Sequence, residues 1–283
     1  MSYYGRYAPI TIPSKGEQIV TSIIVIIVIV LAAYISEILF SLSTKKSQRF
    51  ITLFDYTANS DDTIPPIRQD ISTYSDAIPI GLSVNERTGI EFAYSFYLFV
   101  NATTFTEDDT LKHVFHKGYS IPWPLMGPGV FIRGNSNTMR VFMNTSKNPY
   151  TYIDIKNIPV QKWFHVVLNC YKGGLDVYIN GNLANRLSFS EGVPYHNFQD
   201  IIFFSKAHFS TLSSPRISAL PADATMNIAG SFHGNFASLK YARYALSVFE
   251  IQKLMGEGPS KKQMKSSQAL PPYLADSWWT EQN

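Results

Sequence analysis

The sequence holds little of what usually carries chemistry. Its 283 residues include one cysteine, Cys170. A lone cysteine closes no internal disulfide, so nothing points to an oxidising compartment. Cys170 lies in an apolar run, and its one notable neighbour, His165, falls on the opposite face of the same strand, so it reads as a small core residue. Charged residues make up only 16% of the chain, and the net charge is +3. That is too small to imply nucleic acid as a partner. The six histidines show no metal-ligand spacing. His113 and His116 flank Phe115 and are expected to face opposite sides of a strand. No internal repeat of fixed period is present.

One long apolar run stands out against this background. Residues 19–40 are apolar except for Thr21, Ser22, Ser36 and Glu37. A run of about 20 residues crosses a hydrocarbon core of roughly 30 Å as a helix, and in lipid a single segment satisfies its backbone only as a helix. A transmembrane helix over 19–40 is therefore expected, with the lipid bilayer as partner and residues 1–18 as a leader. A cleaved signal peptide has a shorter apolar region of about 7–15 residues, a basic leader and a small-residue cleavage site. Here the leader carries only Arg6 and Lys15 and no clean Ala-x-Ala follows, so an uncleaved single-pass anchor is expected. Glu37 lies near the end of the run, within reach of the interface. Lys45, Lys46 and Arg49 after the run slightly outweigh the two basic residues before it, which favours a cytoplasmic placement of the large C-terminal portion. The sequons Asn101-Ala-Thr103 and Asn144-Thr-Ser146 are no more than chance supplies and do not argue for a lumen.

The remainder reads as all-β. Aromatic residues make up 14%, with 16 Gly and 16 Pro, a composition that favours strands and turns over helices. Residues 41–80 are polar around "SDDTIPPIRQD" and are expected to form a stalk and a first strand region. From Ile90 the strands come quickly. "IEFAYSFYLFV" places Phe92, Tyr94, Phe96 and Leu98 on one face. "WFHVVLNCY" does the same with Phe164, Val166, Leu168 and Cys170. Asn180-Gly181 is a strong hairpin signal, because a type I′ turn needs positive φ at both central residues. Strands spaced about 8–12 residues apart, with turn residues between, are the signature of a sandwich or barrel. One helix is expected late, with Ser247 and Glu250 as a capping box and Gly256, Gly258 and Pro259 ending it.

Two separated segments carry a family resemblance. The first, "IPVQKWFHVVLNCYKGGLDVYINGNLANRL", resembles the central hairpins of laminin-G-like domains of the concanavalin A-like lectin/glucanase superfamily, through Trp163, His165, Tyr178, Asn180 and Gly181. The second, "FHGNFASLKYARYALSVFEIQKLMGEG", is similar to that family's closing segment, through Gly234, Tyr241, Arg243, Ser247 and Glu250. The resemblance covers about residues 80–258. It implies a two-sheet antiparallel jelly-roll sandwich over 81–258, with one short C-terminal helix and a separate tail over 259–283. The matching residues define shape, and fold alone does not fix function. Glycosidases of this family place paired acids along one strand as Glu-x-Asp-x-x-Glu, and a retaining mechanism needs two carboxyls about 5–5.5 Å apart. No such pattern occurs. The densest acids, Glu107-Asp108-Asp109, lie in the loop "NATTFTEDDT", and the chain is expected not to be an enzyme.

There are three candidate sites. Calcium is known in the family, and Asp108, Asp109 and Asn135, with Asn137, are loop oxygens that a hard cation would accept. No other cofactor is expected. Tyr119 and Trp123, in the proline-stiffened "KGYSIPWPLMGPG", form a candidate stacking platform for a sugar; the competing reading makes Trp123 a cover for the sandwich edge. Trp278 and Trp279 in the tail are candidate docking residues for a partner. The expected function is a membrane-anchored, non-catalytic interaction module, a structural protein linking a membrane to a protein assembly. Virion proteins of large DNA viruses with an internal membrane offer a resemblance for it, with a capsid as the assembly. The alternative is a displayed carbohydrate-binding lectin.

Overall fold

The computed structural model describes residues 14–47, 50–81, 83, 90–123, 125–190, 192–211 and 226–264. The chain divides into two units between Arg49 and Phe50. The first is a single helix, α1 (Lys15–Ser47). Within it Gln18–Leu39 has a mean hydropathy of 2.9 and no buried part. At 1.5 Å rise per residue this stretch is about 33 Å long, enough to cross a membrane. Two of its hydroxyls bond within the helix: Ser22 Oγ donates to the Gln18 carbonyl and Ser36 Oγ to that of Ala33, both at 2.8 Å.

The second unit is a β-sandwich with one helix. In chain order its strands are β1 (Phe50–Asn59), β2 (Phe92–Val100), β3 (Leu111–Gly118), β4 (Met126–Arg133), β5 (Thr138–Phe142), β6 (Tyr152–Lys156) and β7 (Trp163–Tyr171). Then come β8 (Gly174–Ile179), β9 (Asn182–Ser188), β10 (Ile201–Phe203), β11 (His208–Thr211), β12 (Met226–Ser231) and β13 (Gly234–Ala242), followed by α2 (Val248–Glu257). One sheet has the order β1-β13-β2-β7-β8-β9 and is antiparallel throughout. The other has the order β11-β12-β3-β4-β5-β6, with β10 also on β3. β12 meets β3 in parallel at Leu111 and His113, whereas β10 meets it antiparallel from Phe115 to Lys117. Both therefore share one edge of β3, and the second sheet is mixed rather than wholly antiparallel as expected.

The period-2 pattern explains the core. Phe92, Tyr94, Phe96 and Leu98 join Phe164, Val166, Leu168 and Cys170 between the sheets. Phe236 lies among them, stacked on Phe96 at 5.4 Å and edge-on to Phe115 at 5.6 Å. Outside the first sheet, Ala93 and Val167 pack with Ile251 and Leu254 of α2. Outside the second, Leu111, Phe131 and Phe142 form a further apolar layer. Asn180 and Gly181 have φ of 47° and 75°, the values a type I′ turn requires. Ser247 and Glu250 form a complete capping box on α2.

Two expectations need correction. His113 and His116 share the outer face of β3. A register shift falls between His113 and Phe115, and Val114 and Phe115 both enter the inter-sheet core. The extra residue of this bulge restores the same side to residues three apart. The segment 41–80, expected as a stalk with a first strand, is integral to the sandwich from Phe50 on. Leu53, Phe54 and Ala58 of β1 are core residues, and Ile64, Ile67 and Ile78 pack against them. The polar loop encloses apolar anchors because each Ile sits beside a proline or turn residue that folds it inward.

Candidate functional site

β1 is an edge strand, and an edge left bare is a template for pairing. Half of it is covered by the chain after α2. Thr57 N–H donates to the Lys262 carbonyl at 2.7 Å, and Met264 N–H donates to the Thr57 carbonyl at 3.0 Å. Thr57 and Gln263 form a parallel bridge. Ser260 Oγ donates to the Asp55 carbonyl at 2.8 Å, and Lys262 pairs with the Asp55 carboxylate. The beginning of the 259–283 tail is thus docked on the sandwich.

Beside this strap lies a groove of about 700 Å³. Its walls are residues 52–56 of β1, the 64–68 loop, Asp76, Ile78, Gln263 and Met264. The floor is apolar, with Leu53 and Phe54 nearly closed off and Ile64, Ile67, Ile78 and Met264 partly so. Tyr56, 46% exposed, stands at the rim. Asp55, Asp76 and Arg68 add charge, with the Arg68 guanidinium 3.8 Å over the Tyr74 ring. A mostly apolar concavity with a few charged groups is the usual form of a recognition site, and pockets of roughly 300–1,000 Å³ are typical. Sequence reasoning read residues 41–80 as a stalk and first strand region and Gln263 and Met264 as part of a separate tail. The available signal was "TIPPI", in which two isoleucines flank a proline pair.

The sequence-predicted sites lie elsewhere. Tyr119 is 51% exposed. Trp123 is half-buried, edge-on to Tyr150 at 6.0 Å, and packs on the apolar layer outside the second sheet. Trp123 therefore packs on the outer face of the second sheet. Beyond Tyr150 the layer continues through Phe142 and Tyr152, where Arg140 lies 4.0 Å over the Tyr152 ring and grips Asp154 with two bonds of 2.7 Å.

Asp108, Asp109 and Asn135 do come together, but protein groups already hold them. Asp108 accepts from Thr106 at 2.8 Å and Thr110 at 2.6 Å, with Lys112 at 3.6 Å. These hydroxyls hold its carboxyl below the usual range. Asp109 accepts from Arg133 at 2.5 Å and from the Asn135 amide at 3.0 Å. Asn135 thus presents a donor, the wrong polarity for a cation. No group of three His, Cys, Asp or Glu suited to a metal occurs among the described residues.

The remaining ionisable groups are inside. Ser205 N–H donates to His113 Nδ1 at 3.0 Å. His113 Nε2 is then the protonated nitrogen and donates to His116 Nδ1 at 2.7 Å, and His116 Nε2 donates to the Tyr119 carbonyl at 2.7 Å. Burial lowers His113 well below its ordinary value and His116 to about 4. His165 bonds Ser95 at 2.8 Å and packs on Tyr97; burial, then Lys240, lowers it to about 4. Lys117 is fully buried, donates to Asn197, and is lowered by burial to about 7. Burial raises the Cys170 thiol well above its usual value, so it is inert. Trp163 tilts against Phe99 at 5.7 Å, and Tyr178 is half-buried in the layer under α2. Trp278 and Trp279 lie outside the described residues.

No protein-family model matches the chain, and no curated protein matches it. Solved structures are similar in part. The receptor-binding domain of botulinum neurotoxin C/D mosaic serotype superposes with a TM-score of 0.42 at 14% identity, covering 59% of this chain and 36% of that one. The botulinum neurotoxin serotype D ligand binding domain in complex with N-acetylneuraminic acid gives 0.43 at 13% over the same shares. A Trypanosoma rangeli sialidase gives 0.37 at 11%, covering 59% and 22%. The chain spans little more than a third of the toxin domains and under a quarter of the sialidase. Likenesses at these scores carry no argument about function.

Proposed function

We propose that this chain is a membrane-anchored, non-catalytic binding module whose sandwich engages a protein partner or assembly through the groove beside β1. The groove is the observation that carries the reading: it is apolar, of ligand-site size and open to solvent. Helix α1 supplies the anchor, apolar over 22 residues. Anchoring raises effective concentration, so a weak groove contact suffices. In this reading the protein is a scaffold that ties a membrane to a protein shell, and a virion with an internal membrane is the setting the sequence resemblance suggests. A lectin is the second reading. Its support is the exposed Tyr119; against it stands Trp123, which is committed to packing.

The test uses the full chain in its native membrane. Chemical crosslinking should capture a partner, and Tyr56→Glu at the groove rim should reduce that capture several-fold. Tyr119→Ala should leave it unchanged. Alkaline extraction should leave the chain in the membrane with residues 1–18 still attached. Glycan binding by the detergent-purified chain that disappears in Tyr119→Ala would make the protein a lectin instead.

A further inference from the structure

We propose that the end of the sandwich at which the chain enters, at Phe50, is a second membrane contact: its exposed apolar side chains insert at the interface of the bilayer. This rests on the reading of α1 as a membrane anchor. Strand register sorts the loops of the sandwich into two ends. Phe50, Ala242, Ala93 and Asn169 lie in one row across the first sheet, and beyond that row come the 171–174 turn and the link from β13 to α2. The second sheet shares this end. His196 bonds the Tyr241 hydroxyl at 3.0 Å, and the neighbouring Asn197 amide donates to the Lys117 carbonyl at 2.9 Å. Gly118 N–H donates to the Asp200 carbonyl at 3.0 Å and Gln69 N–H to the Asp200 carboxylate at 3.2 Å, which brings the loop after Ile67 to the same place.

The exposed apolar residues collect here. Among the described residues of the sandwich, the five most exposed large apolar side chains are Phe249, Ile71, Phe198, Val248 and Tyr119, from 79% down to 51%. All five lie at the Phe50 end, and none lies at the opposite end, where Val100 meets Gly234. Single exposed apolar residues are ordinary, but a collection marks a contact surface. Phe50 itself tilts against Tyr244 at 6.4 Å, and the Tyr244 hydroxyl donates at 2.8 Å to Glu250, the neighbour of Phe249. The five come from three loops and the first turn of α2, and they form separate tips rather than one pocket. A bilayer interface accepts such tips one by one, with aromatic rings favoured, and needs no matching surface. The chain itself says why the occupant is lipid. Leu39, at the end of the apolar stretch, precedes Phe50 by 11 residues, a reach of at most about 40 Å, and less because α1 runs on to Ser47. A tether this short keeps the lipid surface at high effective concentration, so weak insertion suffices. Charge selects no headgroup: Lys147 and Lys172 are exposed at this end, and so are Asp70 and Asp76.

The full chain, reconstituted in phosphatidylcholine vesicles with a nitroxide-labelled phospholipid in both leaflets, tests this. Cys170 is buried, so an introduced thiol alone takes a fluorophore. Lys172→Cys marks the exposed turn at the Phe50 end, and Ala102→Cys an exposed turn at the opposite end. Quenching by the nitroxide should be several-fold stronger at Lys172→Cys than at Ala102→Cys. It should fall to the Ala102→Cys level when Ile71, Phe198, Val248 and Phe249 are all changed to serine, substitutions that spare the core because all four side chains are exposed. High salt should leave it unchanged, since the contact is apolar. Equal quenching at the two ends, no effect of the serines, or loss of the difference in high salt overturns the proposal. Each of these leaves the anchor reading standing. That reading fails only if alkaline extraction releases the chain from the vesicles, and the proposal then fails with it.

Discussion

Mild acid should unfold the sandwich, and the imidazoles fix where. His113 and His116 form a directed chain between the Ser205 amide and the Tyr119 carbonyl. A second proton on either Nδ1 would oppose a hydrogen that already points at it. Burial holds His116, His165 and His196, which bonds Tyr241, near 4, against about 6.5 in the unfolded chain. The unfolded state binds more protons between those values. The contribution of these imidazoles is therefore complete above about pH 6.5 and is lost as pH falls towards 4. At pH 5 each of the three costs roughly 2 kcal/mol, about 6 kcal/mol together, against a typical total of about 5–15. His113, shifted the same way, adds to this. For a domain of this size about 6 kcal/mol lowers the melting midpoint by roughly 12–24 °C. Carboxylates do not confuse the window, since Asp70 and Asp108 are themselves lowered and lose their contribution at more acid pH. Lys117, lowered to about 7 against about 10.4 in the unfolded chain, loses its contribution as pH falls through about 10 to 7, so only the tail of that change overlaps the upper end of this window. Thermal unfolding of the full chain, followed by near-ultraviolet circular dichroism at pH 7.5, 6 and 5, measures the slope. His116→Gln should reduce the loss at pH 5 by about 2 kcal/mol. A midpoint that stays flat from pH 7.5 to 5, or a variant as acid-sensitive as the parent, refutes the reasoning.

Packing sets the remaining outcomes. Trp123→Ala should cost about 2 kcal/mol, below the roughly 3–5 of a fully buried Trp, and leave partner capture intact; both are read by melting and crosslinking. Asp154→Ala should cost about 3 kcal/mol, because it strands the Arg140 guanidinium, whose side chain is 13% exposed, without its carboxylate; a loss under about 0.5 kcal/mol, the scale of an exposed pair, would contradict the burial. If the chain is routed through a glycosylating compartment, peptide mass spectrometry should find no glycan on Asn144. That side chain is 2% exposed and bonded to Met126 N–H and the Pro149 carbonyl.

The parts of the fold set by local rules were readable in advance. Alternation placed Phe92, Tyr94, Phe96 and Leu98 in the core, Asn180-Gly181 made its turn, and Ser247 with Glu250 capped its helix, because each depends on residues within a few positions. What escaped depends on contacts far along the chain. The bulge that unites His113 and His116 is imposed by the partners of β3, two of which, β10 and β12, come about 80 to 115 residues later. No periodicity in "LKHVFHKG" announces it. The parallel pairing of β12 is of the same kind. The loop acids show a related limit: Asp108, Asp109 and Asn135 do converge, and Thr106, Thr110 and Arg133 converge with them and bond their oxygens. Type and spacing count the donors to a cation but not the competitors for it. The groove illustrates the limit best. Its walls come from residues 52–56, 64–78 and 263–264, three stretches that are separately an edge strand, a polar loop and the start of a tail. None is apolar enough alone to mark a site, and only the strap across Thr57 makes them one surface.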